Sequence, residues 1–214
     1  MAEKRPSTTD GDDTFSPEVK RLKSCFTKQD VVLIVEGEKL YINKAELINI
    51  SPVFRAMFTS SFIEKEAPEV ELPGKKLEEF LRFLRCALAG FSDDINDDNV
   101  HFVIRLADEY QVETLVIKAD TYLANQYENN GYKKYKSNKI IEGLIEAEQY
   151  NLCQFHKVLV SLASRKAFKY FSTAEGFDKL PEQTLNKIAL ERWKTGVNAD
   201  GTVETKNYVN SLVE

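Results

Sequence analysis

Hydrophobic and polar positions follow two periods along this chain. From residue 31 the stretch VVLIVEGEKLYI is rich in β-branched residues, and the glycine in its polar EGEK centre predicts a hairpin of strands over 31–36 and 39–42. Apolar residues fall on both of its faces, so the hairpin is expected to be buried on both sides. The spacing then becomes helical. Asn43 and Glu46 stand three apart as in a capping box, which opens a short helix over 44–49. Ser51 and Pro52 start another, because the serine oxygen can take a free backbone N–H and the proline lacks a donor that would be orphaned anyway. Val53, Phe54, Met57 and Phe58 make one apolar stripe, which breaks at Thr59, Ser60 and Ser61. Phe62, Ile63 and Glu64 follow, a hydrophobe two residues from a carboxylate that an ordinary core helix does not need. A brief strand is predicted at 69–72, ended by Pro73.

Three helical stripes come next. Leu77, Phe80, Leu81, Leu84 and Leu88 stop at Gly90. Val100, Val103, Ile104, Ala107 and Tyr110 follow the capping residues of SDDINDDN, and Val112, Leu115, Val116, Ala119 and Leu123 make the third. The polar QYENNGYKKYKSN, with its central glycine, predicts a linker at 126–136. A second, smaller helical unit is expected over 137–192, with Ile140, Ile141, Leu144 and Ile145 leading on to Leu152, Phe155, Leu159 and Leu162. Residues 193–214 are turn-rich and predict a loose tail. At the other end, residues 1–14 are polar and aperiodic, which predicts disorder. Ser16 and Pro17 then cap a short basic helix whose narrow stripe, Val19, Leu22 and Phe26, needs a surface to lie on.

Composition narrows the function. A 214-residue chain that is 43% hydrophobic can bury the core of one large domain or two small ones. The net charge of −5 and pI near 5.3 argue against a nucleic-acid or anionic-membrane surface and leave a protein as the expected partner. The interleaved tyrosines and lysines of YENNGYKKYK do not outweigh that acidity. No apolar run approaches ~18 residues and the start is polar, so neither membrane span nor secretory signal is expected, and a cytoplasmic or nuclear location follows. Cys25, Cys86 and Cys153 are odd in number and widely spaced, which fits reduced, packed thiols. Lys4 and Arg5, with Lys20, Arg21 and Lys23, form two basic clusters that read either as a bipartite nuclear-import signal or as the wet face of the first helix.

Candidate chemistry is sparse. His101 and His156 have no cysteine or carboxylate partner in motif spacing, and read as surface or capping residues. SDDINDDN places Ile95 where a calcium loop wants an oxygen and lacks that loop's central glycine and final glutamate. No paired zinc-ligand spacing and no glycine-rich phosphate cradle occur. The expectation is a non-enzymatic protein with no catalytic residue, metal, cofactor or small-molecule ligand.

The order of elements carries a resemblance. Asp30-Val31 at the first strand, INKAELINISPVFRAMF at 42–58, VEL at 70–72, FLRFLRCALAG at 80–90 and LADEYQVETL at 106–115 together resemble a BTB/POZ domain over about residues 28–125. The arrangement is most similar to the BTB module of MATH-BTB adaptors and of nematode-type BTB proteins. One departure is that Asn43 stands where the family usually has a histidine. The resemblance implies an α+β fold, a small mixed sheet flanked by helical hairpins, followed by a short all-α extension like a 3-box or truncated BACK region at 137–192.

It also implies sites and partners. In BTB domains that recruit cullin-3, a hydrophobe-x-Glu motif follows the short third helix, and Phe62-Ile63-Glu64 stands at that place. Phe62 would anchor in an apolar cullin pocket and Glu64 would hold the loop. Phe54, Met57 and Phe58 would belong mostly to the supporting helix, with Tyr110 as the aromatic that completes the surface. The helix over 15–27, through Val19, Leu22 and Phe26, resembles the family's dimerisation helix and implies a homodimer. The function implied is that of a homodimeric substrate adaptor of a cullin-3 RING ubiquitin ligase, with the protein substrate unidentified. The alternative is a dimeric scaffold or transcriptional co-regulator that binds no cullin.

Overall fold

The structure is a computed structural model and describes residues 16–23, 31–59, 69–91, 93–131, 134–196, 198 and 200. These fall into two compact units, one up to Leu115 and one from Val116 on.

The first unit is built on the hairpin. Strands β1 (Val31–Val35) and β2 (Glu38–Ile42) pair antiparallel with Leu33 opposite Leu40. Glu36 and Gly37 turn the chain with φ of 50° and 78°, the two positive values that a two-residue hairpin turn of matching twist demands. Strand β3 (Glu69–Glu71) adds parallel to β1, giving a mixed sheet in the order β2-β1-β3. Only one face is fully buried. Leu33, Val35, Leu40 and Ile42 point into the core, whereas Lys39 and Tyr41 are exposed, so the expected two-sided burial is corrected. The reason is the strand period of two: Tyr41 brings apolar area to a face that Lys39, paired with Glu69, keeps wet.

Helices close over the inner face. The short α1 (Pro17–Lys23) packs on α4 (Leu77–Ala87), burying Val19 and Leu22 within the chain. Glu18 pairs with Arg82 at 2.5 Å and Lys23 pairs with Glu38. Val19 and Leu22 of the expected dimerisation stripe are thus covered by α4 within the single chain. Phe26 lies outside the described residues. Helices α2 (Lys44–Ile50) and α3 (Pro52–Thr59) follow β2, and Asn43 caps α2 by accepting the Glu46 N–H at 3.1 Å. The start of α4 is capped from the hairpin turn, where Glu36 Oε2 accepts the Leu77 N–H at 2.8 Å across 41 residues.

A corner recurs between units. At the end of α5 (Val100–Glu109), Gln111 takes φ of 53° and the Val112 N–H returns to the Ala107 carbonyl. At the end of α7 (Ser137–Gln149), Asn151 takes φ of 54° and the Leu152 N–H returns to Ala147. Each is a left-handed helix stop with a buried apolar residue just beyond it, Val112 or Leu152.

The division between units falls inside α6 (Glu113–Asn130), which overruns the linker expected at 126–136. Tyr127 is the reason. Its ring is buried, stacked on Tyr135 with centroids 3.9 Å apart and edge-on to Phe155 at 4.8 Å, while Asn130 Nδ2 donates to the Tyr135 hydroxyl at 3.0 Å. The second unit continues with α8 (Cys153–Ser164), α9 (Phe168–Ser172), a 3₁₀ turn (Phe177–Lys179) and α10 (Glu182–Thr195). Gly143 lets α7 and α8 approach closely, since a Cβ there would stand 2.9 Å from Leu159 Cδ1. Helix α10 runs three residues into the expected tail and stops at Gly196, left-handed at φ 65°. Cys86 is buried, but Cys153 is exposed at the first position of α8, which corrects its reading as a packed thiol; Cys25 lies outside the described residues.

Candidate functional site

The platform for the hydrophobe-x-Glu segment is α3, and it is held from two sides. Ser51, fully buried, accepts the Phe54 N–H at 3.1 Å as the helix cap and donates its hydroxyl to the Tyr110 carbonyl at 2.5 Å. The Tyr110 ring stacks on Phe54 with centroids 4.6 Å apart and lies 5.7 Å from both Phe80 and Phe83. Burial, with the neighbouring Glu109 carboxylate second, pushes the Tyr110 phenol pKa well up. Phe58 continues the stack and carries the Lys44 ammonium 5.4 Å from its ring centre.

These contacts redistribute the expected partner-facing residues. Phe54 is 0% exposed and Tyr110 and Phe58 are each 3% exposed, so the three are buried in their own domain. An aromatic with three aromatic neighbours gains more inside the domain than a partner could offer at its rim. Met57 and Val53 remain half-buried on α3, beside exposed Arg55, Ala56 and Thr59. Arg55 donates to the Ile48 carbonyl at 3.1 Å and Thr59 donates to the Arg55 carbonyl at 2.6 Å, which ties the exposed side of the helix down. Phe62, Ile63 and Glu64 lie outside the described residues, as do Lys4 and Arg5. In the second basic cluster, Arg21 is exposed and Lys20 half-buried on α1, and Lys23 is engaged by Glu38.

The described part of the SDDINDDN loop is held by its own side chains and by Arg85. Asn96 Oδ1 accepts the Asp98 and Asn99 N–H groups at 3.0 and 3.1 Å, Asn99 Nδ2 donates to the Asp94 carbonyl, and Arg85 forks onto Asp93 at 2.7 and 2.8 Å. Among the described residues no group of three or more histidine, cysteine or acidic side chains is placed to hold a metal.

Two polar connections escaped the sequence reading. Asp120 on α6 is buried and caps α8 from outside, its carboxylate accepting the Gln154 N–H at 3.0 Å and the Phe155 N–H at 2.7 Å. His156 has a carboxylate partner outside motif spacing: its Nε2 lies 2.9 Å from Glu148 and 3.2 Å from Thr184, whose hydroxyl donates to Glu148. Glu148 only accepts, and Thr184 has given its one hydrogen away, so Nε2 carries the proton and donates to both. Burial, with the Lys187 charge second, outweighs the Glu148 carboxylate and lowers the His156 pKa, so the ring is neutral at pH 7. The Thr184 hydrogen bond chiefly lowers the Glu148 pKa. Thr184 is fully buried, so the cluster staples α7, α8 and α10 and presents no nucleophile. The partners lie 8 and 28 residues from His156, beyond any local motif window.

Comparison with known proteins agrees with the geometry. The BTB/POZ domain profile matches residues 20–127. The chain is 37% identical over 94 residues to BTB and MATH domain-containing protein 38 of Caenorhabditis elegans, which covers 44% of this chain and 24% of that protein. It is 29% identical over 160 residues to BTB and MATH domain-containing protein 36 of the same organism, covering 74% and 47%. An Arabidopsis thaliana armadillo-repeat protein, described as interacting with ABF2, is 37% identical over 89 residues, 42% of this chain and 12% of that one. The chain thus spans between a quarter and a half of the length of the nematode relatives it matches.

Proposed function

Because the chain belongs to the BTB/POZ domain family, whose members are generally non-enzymatic interaction modules, we propose that it is a homodimeric substrate adaptor of a cullin-3 RING ubiquitin ligase. The observation that carries this reading is the anchoring of α3. Ser51 and the Phe54–Tyr110 stack fix a helix whose outer side offers Met57 and Val53 directly before Phe62-Ile63-Glu64. Phe62 is the anchor for an apolar cullin pocket, Glu64 holds the segment that presents it, and Ile63 and Met57 extend the contact. The helices from α7 on play the part of a 3-box or BACK-like region, and the site of work is cytoplasmic or nuclear; among the described residues no helix is long and apolar enough to cross a membrane.

The test is calorimetric titration into the N-terminal domain of cullin-3, with the double variant Phe62→Ala, Glu64→Lys alongside. Loss of a buried interface anchor costs about 2 kcal/mol or more, so the variant should bind at least tenfold more weakly. Equal binding by both would remove the segment from the interface. No binding by the wild type would leave a BTB scaffold that works without a cullin.

A further inference from the structure

The second unit carries an apolar groove of its own. Phe168, Phe171 and Phe177 face Ile188 and Trp193 across a cavity of about 450 Å³, within the range of pockets that seat ligands or peptide anchors. Among the described residues, four of the six large hydrophobic side chains that are exposed belong to α9 and α10: Phe168, Tyr170, Leu190 and Trp193, the last at 83%. Phe168 and Trp193 line the cavity itself, and exposed aromatic rings on the wall of an apolar groove mark an interaction surface.

Charge decides what fits it. Arg192 lines the cavity, and its guanidinium donates to the Asn198 and Lys166 carbonyls with no carboxylate paired to it among the described residues. Burial alone lowers its pKa, so the cation is partly desolvated without a counter-charge. Apart from Arg192, RKAFKY at 165–170 and ERWK at 191–194 contain four cations, Arg165, Lys166, Lys169 and Lys194, against one carboxylate, Glu191. A second copy of the chain would bring like charges together across a two-fold axis. We propose that this groove docks an amphipathic segment of a partner protein, its apolar side chains filling the cavity and its carboxylate meeting Arg192. The proposal does not rest on cullin binding.

Trp193 is the chain's single tryptophan, so its emission reports the groove directly. A displayed library of random dodecapeptides is panned on the full chain, and enriched peptides are synthesised and titrated while Trp193 emission and iodide quenching are followed. Enriched sequences should combine apolar residues with Asp or Glu, shift the emission to the blue and protect it from iodide. Ala189→Glu, at an exposed position of the cavity wall, and Arg192→Gln should each weaken binding at least fivefold while leaving circular dichroism unchanged. Should Arg192→Gln unfold the helices, Ala189→Glu decides alone. No enrichment, enriched peptides without an acid, or undiminished binding to Ala189→Glu would overturn the proposal. So would a red shift on removing residues 201–214, which makes the chain's own end the occupant, or emission that follows a concentration-dependent mass, which makes it a second copy.

Discussion

The hydroxyl of Ser51 donates to the carbonyl of Tyr110, 59 residues away, while the same oxygen caps α3 through the Phe54 N–H. One atom therefore ties the start of the helix before the hydrophobe-x-Glu segment to the end of α5, inside a fully buried environment.

Ser51→Ala should lower stability by roughly 2–3 kcal/mol, because a cap is lost and two buried backbone groups lose their partner. Urea unfolding should show a lower midpoint with an unchanged slope. A midpoint equal to the wild type would mean that the bridge contributes nothing.

Leu22→Asp places a carboxylate against α4 and should reduce the unfolding midpoint at every protein concentration. The opposite pattern, an unchanged midpoint with the mass halved in sedimentation, would return α1 to a subunit seam.

Asp120→Ala removes both acceptors at the start of α8, and the expected loss is about 1–2 kcal/mol. Hydrogen exchange provides the local reading: the Gln154 and Phe155 amides should exchange faster than those of α4. Uniform acceleration across the chain would show a global effect instead.

The His156 cluster predicts a pH dependence. The folded-state pKa lies below the ordinary histidine value, so the unfolded chain takes up the proton first. Its stabilisation is complete above about pH 6.5 and is lost as pH falls from there through the folded pKa. Glu148, also lowered, acts in a separate window beneath the ordinary carboxylate range. His156→Gln should flatten the first window in thermal melts followed between pH 5 and 8, and a dependence that survives the substitution would assign it elsewhere.

Much of the fold could be read from local pattern. Asn43, Ser51 and Pro52 mark helix starts that the structure reproduces, because a cap is decided within four residues. The stripes of α4, α5, α7 and α8 are likewise local, each set by one face of a 3.6-residue period. Tyr127 shows where this fails. A polar, glycine-bearing stretch reads as linker until a stacked Tyr135 and an edge-on Phe155 supply the burial that extends α6.

The sequence alone determined the element order, the BTB/POZ character and the position of Phe62-Ile63-Glu64 after a capped helix, since each depends on spacing along the chain. Tertiary structure alone decided that Phe54, Phe58 and Tyr110 are core, that Leu22 serves its own domain, and that His156 and Asp120 have partners. Those outcomes depend on which surfaces meet, and periodicity tells which face is apolar without telling what covers it.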